Sequence, residues 1–285
     1  MMTVTEKAYA KINLTLEVLD QRADGYHNIE SIMTTVNLYD TVTLTAHTGG
    51  ECRLTCDTAV TEKAEDNLCM KALRAFFAHT GLACDGVDIT LEKRIPMQAG
   101  LGGGSADAAA VLRGLQKIYA PDMERGELEA IAATVGSDVP FCVGGGTQLV
   151  CGRGEELSPL PPVPKCTFLI VKPRESFSTA EMYARLDMCE PEERTNCREI
   201  AEVALKVKEV VTLAVGLHND FEKVLPLNSQ VPMIHETMLR RGAWGTVLCG
   251  SGSAVAGLYR TEEETKETIE VLKISGWDYF MTEPV

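Results

Sequence analysis

The chain has 285 residues, 45% hydrophobic and 24% charged, the composition of an ordinary globular protein long enough for two domains or one large core. Its 41 acidic residues outnumber 27 basic ones for a net charge of −14, which disfavours a nucleic-acid partner and leaves any polyanionic ligand to local devices such as aimed N–H groups, a metal ion or a placed lysine. Ten cysteines with no CxxC and five histidines with no HExxH read as reduced core thiols of a cytoplasmic protein rather than a metal site, and the N-terminus MMTVTEKAYAKINL and the short aliphatic runs point to neither export nor a membrane.

In chain order, alternation of Ile12, Leu14, Leu16 and Val18 predicts a strand, and Val42 and Leu44 repeat the pattern after the turn-rich DQRADGYHN. A helix is expected over 66–80, with Asp66 as a candidate cap and Gly81 as a left-handed stop. VDITLEK (87–93) alternates cleanly as a half-buried strand, and the glycine-rich segment 96–104 follows it at once. Helices are expected from Ser105 to Tyr119 and over 127–136; SDVPFCVGGGTQLVCGRGEEL then reads as a turn and a hairpin of strands. Four prolines in 159–165 suggest a semi-rigid passage between domains, so that 1–158 and 159–285 are the expected division. Beyond it come a strand (CTFLIVKP), a capping box at STAE (178–181), helices near 196–214 and 231–241, and a strand, strand, helix, strand ending of the split βαβ kind.

The segment PMQAGLGGGSADAAA (96–110) places Gly100, Gly102, Gly103 and Gly104 between a strand and the N-terminus of an alanine-rich helix. There backbone N–H groups can converge on an anion, the helix dipole favours negative charge, and side chains would block close approach. A glycine turn that only packs strand against helix is the alternative. The chain has no GK dipeptide and no GxGxxG, which removes the Walker A, Rossmann and protein-kinase loops.

KINLTLEV near the N-terminus, PMQAGLGGGSADAAA in the middle and CGSGSAVAGLY near the C-terminus resemble, in order and spacing, the three motifs of the GHMP kinases, ATP-dependent kinases of small molecules. AKINLTLEVLDQRADGYHNIES, EKRIPMQAGLGGGSADAA and GSDVPFCV are similar to the branch that phosphorylates a cytidine diphosphate-linked methylerythritol in non-mevalonate isoprenoid biosynthesis. The resemblance covers essentially the whole chain, with small departures at Tyr9, Cys249 and Ser253. It implies an α+β, two-domain fold: an N-terminal α/β domain with the glycine-rich phosphate loop, a C-terminal ferredoxin-like domain, and the active site in the cleft between them.

The resemblance also implies roles, each set against what the residue would do alone. Lys11, on a strand and ordinarily solvent-facing, would point inward beside Asp138, ordinarily a turn or cap residue but here the candidate base for the acceptor hydroxyl. ATP would lie on Pro96, Met97, Gln98, Ala99, Gly100, Leu101, Gly102, Gly103, Gly104, Ser105 and Ala106, with Asn67 near adenine, Lys93 near the nucleotide, and Ser105 touching a Mg²⁺ carried on the phosphates. Tyr26 and His27 would form the cytidine pocket, with Tyr183 or nearby Phe177 on the opposing face. Asn13 would contact the methylerythritol end, and Gly250 and Gly252 would line the acceptor site unless they only turn a hairpin. The expected partners are small molecules, in a cytoplasmic monomer or homodimer. A GHMP kinase for another alcohol, such as mevalonate or homoserine, and a non-catalytic metabolite-binding member are the rival readings. The DGYH loop weighs against the first, and retention of Lys11 with Asp138 against the second.

Overall fold

The computed structural model describes residues 1–58, 64–189 and 196–285, which fall into two compact units. The units interleave along the chain, a different kind of division from a sequential boundary at 158/159. Strands β1 (Met2–Gln21) and β2 (His27–Ala46) each contribute to both.

The first unit holds residues 1–10, 38–97 and 102–145. Its strands run in the order β3 (Arg53–Cys56), β4 (Val87–Glu92), β2, β1. Val87, Ile89 and Leu91 of β4 are buried while Thr90 and Glu92 face solvent, as their alternation requires. Four helices join the same core: α1 (Leu68–Thr80), α2 (Gly103–Tyr119), α3 (Arg125–Val135) and α4 (Val139–Gly144). Phe76, Leu112, Leu115, Ile131 and Val139 cluster there with Val42, Leu44, Ile89 and Leu91. Helix α2 is buried on nearly every side, which its alanines permit: Ala106, Ala108, Ala109 and Ala110 are all inside. At Gly114 it comes so near β2 that an added Cβ would sit 2.5 Å from Leu44 Cδ1.

The second unit holds residues 11–37, 98–101 and 146–285. Here the strand order is β6 (Glu156–Pro159), β5 (Thr147–Cys151), β2, β1, β8 (His218–Asn219), with β8 parallel to β1 at Thr15 and Leu16. A separate antiparallel sheet has the order β11 (Asp278–Thr282), β7 (Thr167–Lys172), β10 (Val255–Tyr259), β9 (Gly245–Leu248). With α5 (Thr179–Leu186), α8 (Val231–Leu239) and α9 (Lys266–Ser275) this is the split βαβ arrangement expected from the C-terminal pattern. The central strands β7 and β10 are wholly buried, and Val231, Ile234 and Met238 of α8 pack with Val171, Leu248 and Val255.

Several local expectations change. Asn67, not Asp66, caps α1: its Oδ1 accepts from Cys69 N at 2.9 Å, while Asp66 ends a preceding 3-10 turn. Ser137 and Asp138 form the expected turn, but Val139 onward is helix α4, with Pro140 in its first turn, where no N–H is needed; the β5–β6 hairpin follows as expected. The helix expected over 196–214 is two, α6 (Cys197–Val207) and α7 (Val210–Val215). Lys208 turns left-handed at φ 57 and the Glu209 carboxylate caps the second through Val211 N and Thr212 N. No capping box forms at 178, because Ser178 makes no side-chain cap bond and the Glu181 carboxylate pairs with Arg185 instead. The proline-rich passage 159–165 lies wholly inside the second unit. Of the ten cysteines, all free, only Cys69, Cys166 and Cys249 are core thiols. Among the described residues no helix is long and apolar enough to cross a membrane.

Gly114→Ala separates propensity from packing. Alanine favours helix by about 1 kcal/mol, but overpacking against Leu44 costs roughly 1–3 kcal/mol. The expected net result is a loss of about 1 kcal/mol, read as a lower urea midpoint at unchanged slope.

Candidate active site

The glycine segment uses its freedom at particular positions. Gly100 (φ 76) and Gly102 (φ 69) are left-handed, as is Gln98 (φ 51), whereas Gly103 and Gly104 are helical and begin α2. Gly102 stands at the cap position and makes no side-chain cap bond; the N–H groups of the first turn are therefore left for another acceptor. Ala99, Leu101 and Ala106 are buried and anchor the turn, Pro96 and Ser105 are half-buried, and Met97 and Gln98 are exposed.

In the second unit this turn meets the C-terminal glycine motif. A Cβ on Gly100 would fall 1.7 Å from the carbonyl oxygen of Cys249, so only glycine permits the approach. Ala254 N donates to Ala99 O at 3.3 Å and Lys11 N to Leu101 O at 3.0 Å. Lys11 is 3% exposed, inward as the resemblance implied. Its Nζ donates to Asn13 Oδ1 at 2.6 Å, and the same oxygen accepts from Gly250 N at 3.1 Å. Asn13 Nδ2 donates to Ser31 Oγ, and Ser31 Oγ to Thr15 O, at 2.8 and 2.6 Å. Gly250 (φ 51) has no room for a side chain: a Cβ would lie 2.9 Å from Gly100 O and 3.2 Å from Lys11 Nζ. Asn219 fixes it from the other side, Nδ2 donating to Leu248 O and Gly250 O, both at 2.8 Å. Lys11, Asn13, Gly100 and Gly250 thus converge, with burial pushing the adjacent Cys249 thiol up to about 12 and keeping it inert. Ser31 and Asn219 escaped the sequence reading; isolated polar residues in apolar runs were their only signal.

The pyrimidine-pocket residues separate. Tyr26 is 54% exposed, with the Arg153 guanidinium 4.9 Å from its ring centre. His27 turns inward and stacks on Tyr183, centroids 4.9 Å apart at 14°, while its Nε2 meets Asp187 Oδ1 at 2.7 Å. Tyr183 also sets its ring edge-on to Phe221. Phe177 lies on Gly252 (φ 94), where a Cβ would be 2.6 Å from its Cδ2.

In the first unit, Lys93 is committed below the turn. Its Nζ donates to Asp107 Oδ2 at 2.6 Å and to Asp40 Oδ2 at 2.5 Å. Asp40 Oδ1 accepts from Ile95 N at 2.8 Å and from Arg94 N. Burial would lower the Lys93 pKa, but Asp107 and Asp40 outweigh it and raise it. Burial pushes the Asp107 carboxyl up to about 7, Asp40 adding to this and Lys93 opposing. Neither aspartate was singled out from sequence, since one among alanines and one at a strand end look like solvated charges. Asp138 stands at the N-cap position of α4, half-buried, with its side chain not capping the helix. Among the described residues no group of three or more His, Cys, Asp or Glu is placed to hold a metal ion.

The model of the GHMP kinases N terminal domain matches residues 67–146, from the α1 cap through the glycine turn to α4. The 4-diphosphocytidyl-2-C-methyl-D-erythritol kinase of Macrococcus caseolyticus is 39% identical over 95% of both chains. The chain belongs to the GHMP kinase family. Other GHMP kinases agree: the protein of the same name from Acetivibrio thermocellus is 36% identical over 100% of each chain. The crystal structure of 4-(cytidine 5'-diphospho)-2C-methyl-D-erythritol kinase matches this one with a TM-score of 0.81, 29% identity and 99% coverage of both. L. major mevalonate kinase, at 16% identity with 99% and 96% of the two chains covered, shares the GHMP kinase fold with a TM-score of 0.79.

Two substitutions test the geometry. Gly100→Ala is expected to break the contact with Cys249 and to abolish turnover while most of the fold survives in circular dichroism. Lys93→Met strands two buried carboxylates, with an expected loss of about 3–5 kcal/mol at neutral pH in urea denaturation. Without Lys93 the Asp107 carboxyl, already pushed up to about 7 in the parent, holds its proton to still higher pH in the folded state, so the deficit is expected to be largest at alkaline pH and to shrink as pH falls towards about 7.

Proposed function

We propose that this GHMP kinase transfers the γ-phosphoryl group of ATP to the 2-hydroxyl of 4-(cytidine 5'-diphospho)-2-C-methyl-D-erythritol, a step of non-mevalonate isoprenoid precursor synthesis. The observation that carries the reading is the convergence of the Lys11 ammonium with two side-chain-free turns, at Gly100 and Gly250. Full-length identity to kinases of that name supports the choice of acceptor.

In this reading the phosphates lie along 100–105, against the N–H groups of Gly103, Gly104 and Ser105 and the positive end of α2. A net charge of −14 is no obstacle, because the favourable field is confined to that turn and one ammonium. Asn67 spends its Oδ1 on the α1 cap, so its Nδ2 is the group that meets adenine. Lys93 acts on the nucleotide through the turn, since Asp40 and Asp107 hold its ammonium. The Ser105 hydroxyl is the protein group we assign to Mg²⁺; bound there, the ion would neutralise charge on the phosphates.

Tyr26, His27 and Tyr183 receive the cytosine, and entry of the base between aromatic faces requires His27 and Tyr183 to part. Asn13 and the turn at Gly250 and Gly252 hold the methylerythritol end. The Asp138 carboxylate takes the proton of the acceptor hydroxyl; that oxygen bonds to the γ-phosphorus as the bond to the β–γ bridging oxygen breaks, releasing ADP. Lys11 stabilises the charge spread over the transferring oxygens.

Asp138→Asn is expected to lower kcat by about 10²–10⁴-fold while calorimetry shows ATP affinity within a few-fold of the parent. ADP release measured over a panel of alcohols, including mevalonate and homoserine, tests the acceptor: strong preference for either would overturn it.

A further inference from the structure

Lys172, the last residue of β7, is 7% exposed and belongs to no motif of the site. Its ammonium donates to Pro173 O and Glu175 O, both at 2.7 Å, and to Ser176 Oγ at 3.4 Å. Burial lowers its pKa, with Glu175 and Asp278 opposing. A lysine has three N–H donors and no acceptor, so one buried ammonium can gather several acceptors of a single short segment around itself where an apolar side chain cannot.

The curled segment, 173–179, is tied to the C-terminal glycine motif at three points. Ser253 Oγ donates to the Glu175 carbonyl that Lys172 also holds. Phe177 occupies the space left by the missing side chain of Gly252, and Thr179 Oγ1 meets Ser251 Oγ at 2.9 Å. From the far side the Glu175 carboxylate accepts from Ser229 Oγ and Gln230 N, both at 2.8 Å. The segment ends where α5 begins, four residues before Tyr183, and the turn it covers contains Gly250, which shares Asn13 Oδ1 with Lys11.

Resting on the acceptor reading above, we propose that Lys172 is a positioning residue for the phosphoryl acceptor: its ammonium clamps segment 173–177 onto the 250–253 turn and so sets both Phe177 over Gly252 and the start of the helix carrying Tyr183. The residue touches neither nucleotide nor reacting atoms. Its removal loosens the acceptor side and leaves the glycine turn at 100–105 in place.

The test is steady-state kinetics on the full-length enzyme with ATP and the cytidine diphosphate-linked acceptor varied separately. Lys172→Met is expected to raise KM for the acceptor about tenfold or more, with KM for ATP changed less than about twofold. Ser253→Ala removes the second donor to the same carbonyl and is expected to shift KM in the same direction by a smaller factor; it decides the matter if the methionine variant does not fold. Equal changes in both KM values, or none in either variant, would overturn the clamp. Failure of the parent enzyme to phosphorylate this acceptor overturns the acceptor reading instead, and the two failures are told apart by the parent's own turnover.

Discussion

The backbone of Gly100 rests against the carbonyl of Cys249 at a separation that excludes even a methyl group. That contact brings together two turns almost 150 residues apart in the chain, and the neighbouring bonds close around it: Gly252 N also donates to the Cys249 carbonyl, Ala254 N to Ala99 O and Lys11 N to Leu101 O. Asn13 then holds Lys11 and Gly250 through a single oxygen. The Lys11 ammonium is thus held by a buried amide that is itself anchored to the Gly250 backbone, a stiffer arrangement than a pair of long side chains meeting in water.

The ammonium groups of Lys11, Lys93 and Lys172 are bound in different ways. Lys93 is gripped by two carboxylates that also bind the backbone of the following residues, a structural cross-brace between β4, β2 and α2. Lys172 faces carbonyl groups, which orient an ammonium without neutralising it. Lys11 shares an amide oxygen with a backbone N–H beside two bare turns.

Most of the secondary structure could be read from the chain because its signals are local: the alternation in 87–92, the alanine run after the glycines, and the C-terminal strand, strand, helix, strand order. The glycine motifs and Lys11 were readable as motifs. What they touch was not, since the meeting of Gly100 with Cys249 depends on tertiary approach. Asp40, Asp107, Ser31 and Asn219 were missed for the same reason: a polar residue in an apolar stretch shows that it needs a partner, not which one. The capping box at 178 failed because Ser178 makes no cap bond and the Glu181 carboxylate pairs with Arg185 instead, and the single helix over 196–214 failed because Lys208 and Glu209 place a stop and a start inside one apolar period.

The interleaving of the two units bears on how the chain is made. Leu16 and Ile29 belong to the same core as Leu169, Val171 and Leu248, yet they leave the ribosome far earlier. At a synthesis rate of about 5–20 residues per second, roughly eight to thirty seconds separate Leu16 from its partner Leu169 on β7. Through that interval Leu16 and Ile29 lack their β7 partners, and β8, which pairs with β1, arrives later still. The second unit's core therefore cannot close until its C-terminal residues have been made, however early Leu16 and Ile29 emerge.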